Sequence, residues 1–297
     1  MVQKKLEIRK EEDKDWIDRM ADKPKGEVGE VDGPKRSRFP SMNKIMKELR
    51  SPKFWRNFGL AILSLAWVGL VLVATNAGFR WLFRSILPQN FLITPLAQGI
   101  FTLVVDGVSL LLIIFVPIFF ANKFKKLKEL KEKRSLREVL GVNGVLSWTD
   151  VALAPVGFAV YLVLSIASQF AMPFVDWSQQ QDIGYDTAAL FGKDLIIILI
   201  AVVIIAPVAE EIIFRGWLYG KMRKRVPVWL AMILVSVLFG IMHRQVNVGI
   251  NVFFLSMVLC LMREMTGTIY AGILLHMLKN GIALALIMNL TLGGVGY

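Results

Sequence analysis

Histidine and cysteine are scarce in this chain, and their scarcity narrows its chemistry. Cys260 is the only cysteine in 297 residues. An intrachain disulfide is therefore excluded, and its place in an apolar run makes packing its default role. Only two histidines occur, His243 and His276. Both fall in apolar stretches near the C-terminus, so any imidazole chemistry has these two groups to draw on. Residues 1–57 are polar and contain neither a short apolar h-region nor a small-residue cleavage site, so no cleavable signal peptide is expected. Charged residues make up 20% of the chain against 55% hydrophobic, and mean hydropathy is +0.56.

What is abundant is long apolar runs, too long for the core helices of a soluble domain. Seven spans are expected, at about 58–78, 99–121, 151–172, 195–218, 228–243, 247–263 and 268–290. The fold class that follows is an all-α, polytopic membrane bundle of about seven transmembrane helices. Residues 58–297 form the membrane domain. Residues 1–57 mix both charge signs and then turn rich in Gly and Pro, which reads as a partly disordered cytoplasmic extension. Its last part, Met42 to Asn57, spaces Ile45, Met46, Leu49, Phe54 and Trp55 among Lys and Arg, a pattern suited to a helix on the membrane surface.

The net charge of +12 does not point to nucleic acid, because Lys and Arg cluster beside hydrophobic spans, where they set orientation and meet anionic lipid. Lys123 to Arg137 and Lys221 to Arg225 are basic, whereas the loop between spans three and four carries Asp176, Asp182, Asp186 and Asp194 against Lys193 alone. This alternation places the N-terminus and both basic loops in the cytoplasm and, with an odd number of spans, Tyr297 outside. A multi-pass protein of the plasma membrane is expected. A transporter fits buried charge, but no inverted repeat is evident.

The chain is organised around Ala209-Glu210-Glu211-Ile212-Ile213-Phe214-Arg215-Gly216, directly behind the apolar run Leu195 to Val208. Each ionisable group near a bilayer centre costs roughly 2.5–3.5 kcal/mol on insertion scales. Glu211 and Arg215, at i and i+4, share a helix face and can neutralise each other. Glu210 lies about 100° round the helix and is the carboxylate left free to act. Spans four and five read as a hairpin turning near Val226-Pro227, with Pro227 suited to the start of the second helix. Glu210 and His243 lie equally far from that turn, so they reach similar depth and can face each other. His276 and Asn280, again i and i+4, share a face of the last span. Asp106 is a lone acid in the second span, expected to pair inside the bundle.

A carboxylate and a neutral imidazole holding one water can share its proton and direct its oxygen at a carbonyl. The second histidine and the asparagine amide are donors suited to a developing oxyanion. No serine or cysteine is comparably placed, which weakens nucleophilic catalysis. Glu210, His243 and His276 also make up a His2Glu set, a known catalytic zinc arrangement. The H-E-x-x-H helix and an acid beside either histidine are both missing from the sequence, so no metal or other cofactor is expected, with zinc as the alternative.

At these residues the chain resembles the CPBP family of intramembrane proteases, which takes in the type II CAAX prenyl endopeptidases and the bacterial bacteriocin-processing or self-immunity (Abi) proteins. The motif Glu-Glu-x-x-x-Arg is matched by Glu210, Glu211 and Arg215, Phe-x-x-x-His by Phe239 and His243, and His-x-x-x-Asn by His276 and Asn280. Thr266-Gly267 also resembles a segment common there. The resemblance covers about residues 195–290, the expected catalytic core. It implies a helical membrane domain with an internal, water-accessible site, in which Glu210 and His243 activate water, His276 and Asn280 stabilise the oxyanion, and Glu211, Arg215 and Phe239 support them. The implied activity is endoproteolysis of a membrane-associated protein or peptide, with the lipid bilayer as the other partner. The alternative is a non-catalytic scaffold or bacteriocin self-immunity protein. Arg244 and Lys279 add positive charge beside the motif residues, a feature the motifs do not explain.

Overall fold

The computed structural model describes residues 49–123, 136–179 and 194–294. The charged extension over 1–48, the basic loop over 124–135 and most of the acidic loop, 180–193, lie outside the described residues.

Seven apolar helices build the membrane domain, and no strand occurs among the described residues. They are α1 (Pro52–Ile86), α2 (Pro95–Lys123), α3 (Trp148–Ala171), α4 (the composite span Leu195–Met222), α5 (Val228–Met242), α6 (Val246–Thr266) and α7 (Tyr270–Gly294). Their ends follow local chemistry. Ser51 accepts a hydrogen bond from the Phe54 amide (3.1 Å) and Pro52 sits in the first turn, where a missing N–H costs nothing. The first span thus begins at Pro52, earlier than the expected residue 58. Phe54 and Trp55 belong to α1 and not to a separate surface helix. Ser147 and Asp150 close a reciprocal capping box at the start of α3. Gly267, at φ +74°, takes the left-handed position that ends α6.

Six of these helices are long and apolar enough to cross a membrane; α5, with 15 residues, is not. At 1.5 Å per residue it rises only about 22 Å, against a hydrocarbon layer of about 30 Å. The expected bundle of about seven helices is thus met, among the described residues, by six long spans and one shorter apolar helix.

The polar span α4 is the central helix, packed by α1, α2, α5, α6 and α7. Phe214, Trp217, Leu218 and Met222 of α4 form one core with Val235 and Phe239 of α5 and Val68 of α1. A second core joins Tyr161 of α3, Leu255 and Leu259 of α6 and Leu275 of α7. The hairpin α5–α6 is pinned where Gly240 meets Gly249: a Cβ on either would lie 2.7 or 2.9 Å from the other's carbonyl oxygen. Only glycines let two helix backbones come that close. The outward faces of α1, α2 and α3 carry exposed Leu63, Phe119 and Phe170, as a lipid-facing surface requires. The buried Glu211–Arg215 pair thus lies on the helix that the others enclose.

Candidate active site

Glu210 and Glu211 close a short α-helical stretch, Ala206–Glu211, held between two π-helical stretches, Leu199–Ile205 and Ile212–Leu218. The wider turns leave one residue more per hydrogen-bonded loop, as in the Ala206 amide donating to Ala201 O. They turn the side chains that follow away from the direction an ideal helix gives them, and such turns gather at functional sites. Nothing in the run of Ile, Val and Leu announces them.

Glu211 and Arg215 pair as their spacing predicts, Nη1 to Oε1 at 3.0 Å, with both side chains all but inaccessible. The same Oε1 accepts from His276 Nδ1 at 3.0 Å. Glu211 is thus the acid beside a histidine that the sequence did not reveal, because the partners come from α4 and α7. With Nδ1–H held there, the other ring nitrogen, Nε2, looks toward Glu210 Oε2 at 3.7 Å. That oxygen has no hydrogen-bond partner, although the Glu210 side chain is 31% accessible. His276 therefore stands between a carboxylate locked in an ion pair and one that is free.

Phe239 joins the remaining parts. The Arg215 guanidinium lies 4.4 Å over its ring, a cation–π contact inside the bundle. Its ring also meets Phe214 (4.9 Å), His243 (5.0 Å) and His276 (5.9 Å) edge to face. Cys260 is buried, in the core around Phe239 and close to Arg215. His243, at the C-terminal cap of α5, directs Nδ1 at the Phe239 carbonyl oxygen (2.8 Å), so that nitrogen donates and Nε2 carries the lone pair.

The structure departs from expectation in the pairing across the site. His243 and Glu210 make no ion pair; the histidine against Glu210 is His276. Asn280 shares the inward face of α7 with His276, as expected, and its Nδ2 donates to Val202 O in the first π stretch (2.9 Å). Asp106 and Lys279 both lie close enough to act on the charge of Glu210. Among the described residues no group of three His, Cys, Asp or Glu is placed to hold a metal ion. Glu210, His243 and His276 are not gathered as a zinc set among the described residues.

Gly272 has no counterpart in the sequence reading. A Cβ there would sit 3.1 Å from Glu211 Oε2, so its absence lets α7 bring His276, one turn on, against the carboxylates. The small-residue pair Ala271-Gly272 ahead of His276 is the only trace it leaves in the sequence.

No curated protein and no solved structure matches the chain. Residues 192–282, which run from just before α4 into α7 and include every motif residue above, match a family model. That model is described as type II CAAX prenyl endopeptidase Rce1-like, and over this segment the chain is similar to it.

Proposed function

We propose that this protein is an intramembrane endopeptidase that hydrolyses a peptide bond of a membrane-associated protein or peptide. The observation that carries this reading is His276 set between Glu210 and Glu211, at 3.7 and 3.0 Å, in the interior of an apolar bundle. A free carboxylate is costly in such a place and calls for a use.

In this reading Glu210 is the general base, and the lone pair of His243 Nε2 helps to hold the same water. The water oxygen attacks the scissile carbonyl carbon as its proton passes to Glu210. His276, with a proton on Nε2 and Nδ1–H on Glu211, donates to the oxygen that becomes negative. Asn280 spends one amide hydrogen on Val202 O and offers the other to the same oxyanion. The C–N bond then breaks and the leaving nitrogen takes the proton back from Glu210, giving a carboxylate and an amine. Glu211, Arg215 and Phe239 hold His276 and His243 in place. No step calls for a metal.

The family's description extends the proposal to a substrate held at the membrane by a C-terminal lipid. We place the protein in the plasma membrane with the N-terminus and the basic loops cytoplasmic, on the charge alternation of the loops. The test is cleavage of membrane-associated peptides by purified wild type and Glu210→Gln, with metal analysis and with and without chelator. Cleavage that survives chelation and is lost in the variant supports the mechanism; chelator-sensitive cleavage with stoichiometric zinc replaces it by a metal-dependent one. The buried Glu211–Arg215–His276 cluster favours a second reading, a scaffold or self-immunity protein whose charges are structural. There, Glu210→Gln leaves the cellular phenotype intact while deletion of the protein removes it.

A further inference from the structure

Arg244 is the only non-glycine with positive φ among the described residues, at +63°. Side chains other than glycine and asparagine rarely take this backbone region, and where they do the surrounding structure holds them there for a reason. The residue occupies the turn His243-Arg244-Gln245 between α5 and α6. It is exposed and makes no hydrogen bond or ion pair through its side chain with any described residue.

Arg244, exposed in the turn, lines a groove of about 370 Å3 along α5 and α6, with walls that include Val237, Ile241, Ile250, Phe253 and Met172. Arg244 is the only charged residue lining it. The level of the turn can be read from its neighbours. Met172 caps the end of α3, and its carbonyl accepts from Trp177 Nε1 at 3.1 Å. A tryptophan just past the end of a span marks the membrane interface. Asn247, in the first turn of α6, donates to Gln179 O in the same segment (2.7 Å). Because α6 has 21 residues and rises about 31 Å, its other end reaches the opposite interface, beside the basic loop 221–225. The groove thus begins at headgroup level and runs into the hydrocarbon layer, apolar within and cationic at its rim.

We propose that this groove binds an anionic phospholipid, with one acyl chain between α5 and α6 and the phosphate held by Arg244. Charge decides the occupant. A bilayer offers acyl chains to any apolar groove at this depth, and an arginine at the mouth selects those that end in an anion. The bound headgroup braces the turn that follows α5, and with it the ring of His243 on the Phe239 carbonyl.

The test is native mass spectrometry of the full-length protein in neutral detergent, titrated with dioleoylphosphatidylglycerol or dioleoylphosphatidylcholine, which share chains and differ in charge. Wild type retains the anionic lipid about tenfold over the zwitterionic one, the fold-change of one hydrogen bond to a charged group. Arg244→Gly suits the positive φ and so keeps the turn; it abolishes the preference without lowering Tm. Arg244→Lys keeps most of the preference, and Ile241→Trp, which fills the groove, reduces retention of both lipids. An unchanged preference in Arg244→Gly overturns the proposal, as does a preference lost only in Arg225→Gln at the other end of the hairpin. Displacement of the lipid by a peptide with a free C-terminal carboxylate, but not by its amide, reassigns Arg244 to a peptide carboxylate and overturns it too.

Discussion

Two clusters of charge lie on or beside α4, and they are built to different ends. Near the basic loop, Glu264 of α6 accepts from Tyr219 OH (2.7 Å) and pairs with Arg223 (2.9 Å). Arg263 beside it donates to the carbonyls of Gly267 and Glu138. Both oxygens of Glu264 have partners, and the ion pair is partly open to solvent. In the interior, Arg215 and His276 both engage Glu211 Oε1 and leave its sealed Oε2 without a hydrogen bond, whereas Glu210 next to it has no cationic partner from Arg or Lys and a side chain 31% accessible. A carboxylate that supports structure is tied to a charged partner, whereas one that does chemistry stays unpaired and accessible to its substrate. The same isosteric change, Glu to Gln, at positions 210, 211 and 264 tests this contrast, because it removes charge and leaves shape.

The largest effect is expected at Glu210. Glu210→Gln removes the base and no hydrogen bond, so peptide cleavage falls by roughly 10²–10⁴-fold, the span that general-base catalysis contributes. Thermal unfolding in detergent stays near that of wild type. Retained cleavage in this variant would break the comparison at its centre, for the open carboxylate would then have no use.

Glu211→Gln inverts the pattern. It leaves the Arg215 guanidinium buried without a counter-charge, and breaking a buried pair in this way costs about 3–5 kcal/mol. A large fall in Tm, with activity lost alongside it, is expected. The double change Glu211→Gln with Arg215→Met is expected to regain part of the stability but not the activity, since His276 still lacks its acid. Gly272→Ala presses a methyl on Glu211 Oε2 from the other side. Overpacking of this size costs about 1–3 kcal/mol. Because the strain falls on the support of His276, cleavage drops with little change in substrate affinity, and steady-state kinetics separates the two.

How much of this is legible in the sequence varies with the distance between partners. The Glu211–Arg215 pair is one turn of one helix, and its spacing alone discloses it. The apolar runs disclose the seven apolar helices in the same way, since length and hydropathy are local properties, although not that α5 is shorter than a full span. The role of Glu211 toward His276 is not local: it depends on Gly272 bringing α7 close and on two π-helical stretches that no residue type in Leu199–Ile205 or Ile212–Leu218 demands. The expected opposition of Glu210 and His243 rested on equal rise along two ideal helices. What it could not disclose are the contacts made by other elements: His276 reaches Glu210 from α7, and the Phe239 carbonyl holds His243 Nδ1. Asn280 shares its face with His276 as its spacing implies, but its contact with Val202 O needed the irregular backbone that spacing cannot show.

The smallest effect belongs to Glu264, where the comparison is sharpest. Glu264→Gln keeps a carbonyl oxygen for Tyr219 OH, so the buried hydroxyl remains satisfied and only the pairing with Arg223 is weakened. That pair is 33% and 19% accessible on its two sides, and exposed pairs contribute only about 0–1 kcal/mol. Raising the salt concentration lowers wild-type stability toward that of the variant, because screening acts on the same weak term. If instead Glu264→Gln cost as much as Glu211→Gln, position in the bundle would not separate the two clusters. Glu264 would then count among the buried charges that hold α4 and α6 together, and the solvent-facing end of the hairpin would be as tightly built as its interior.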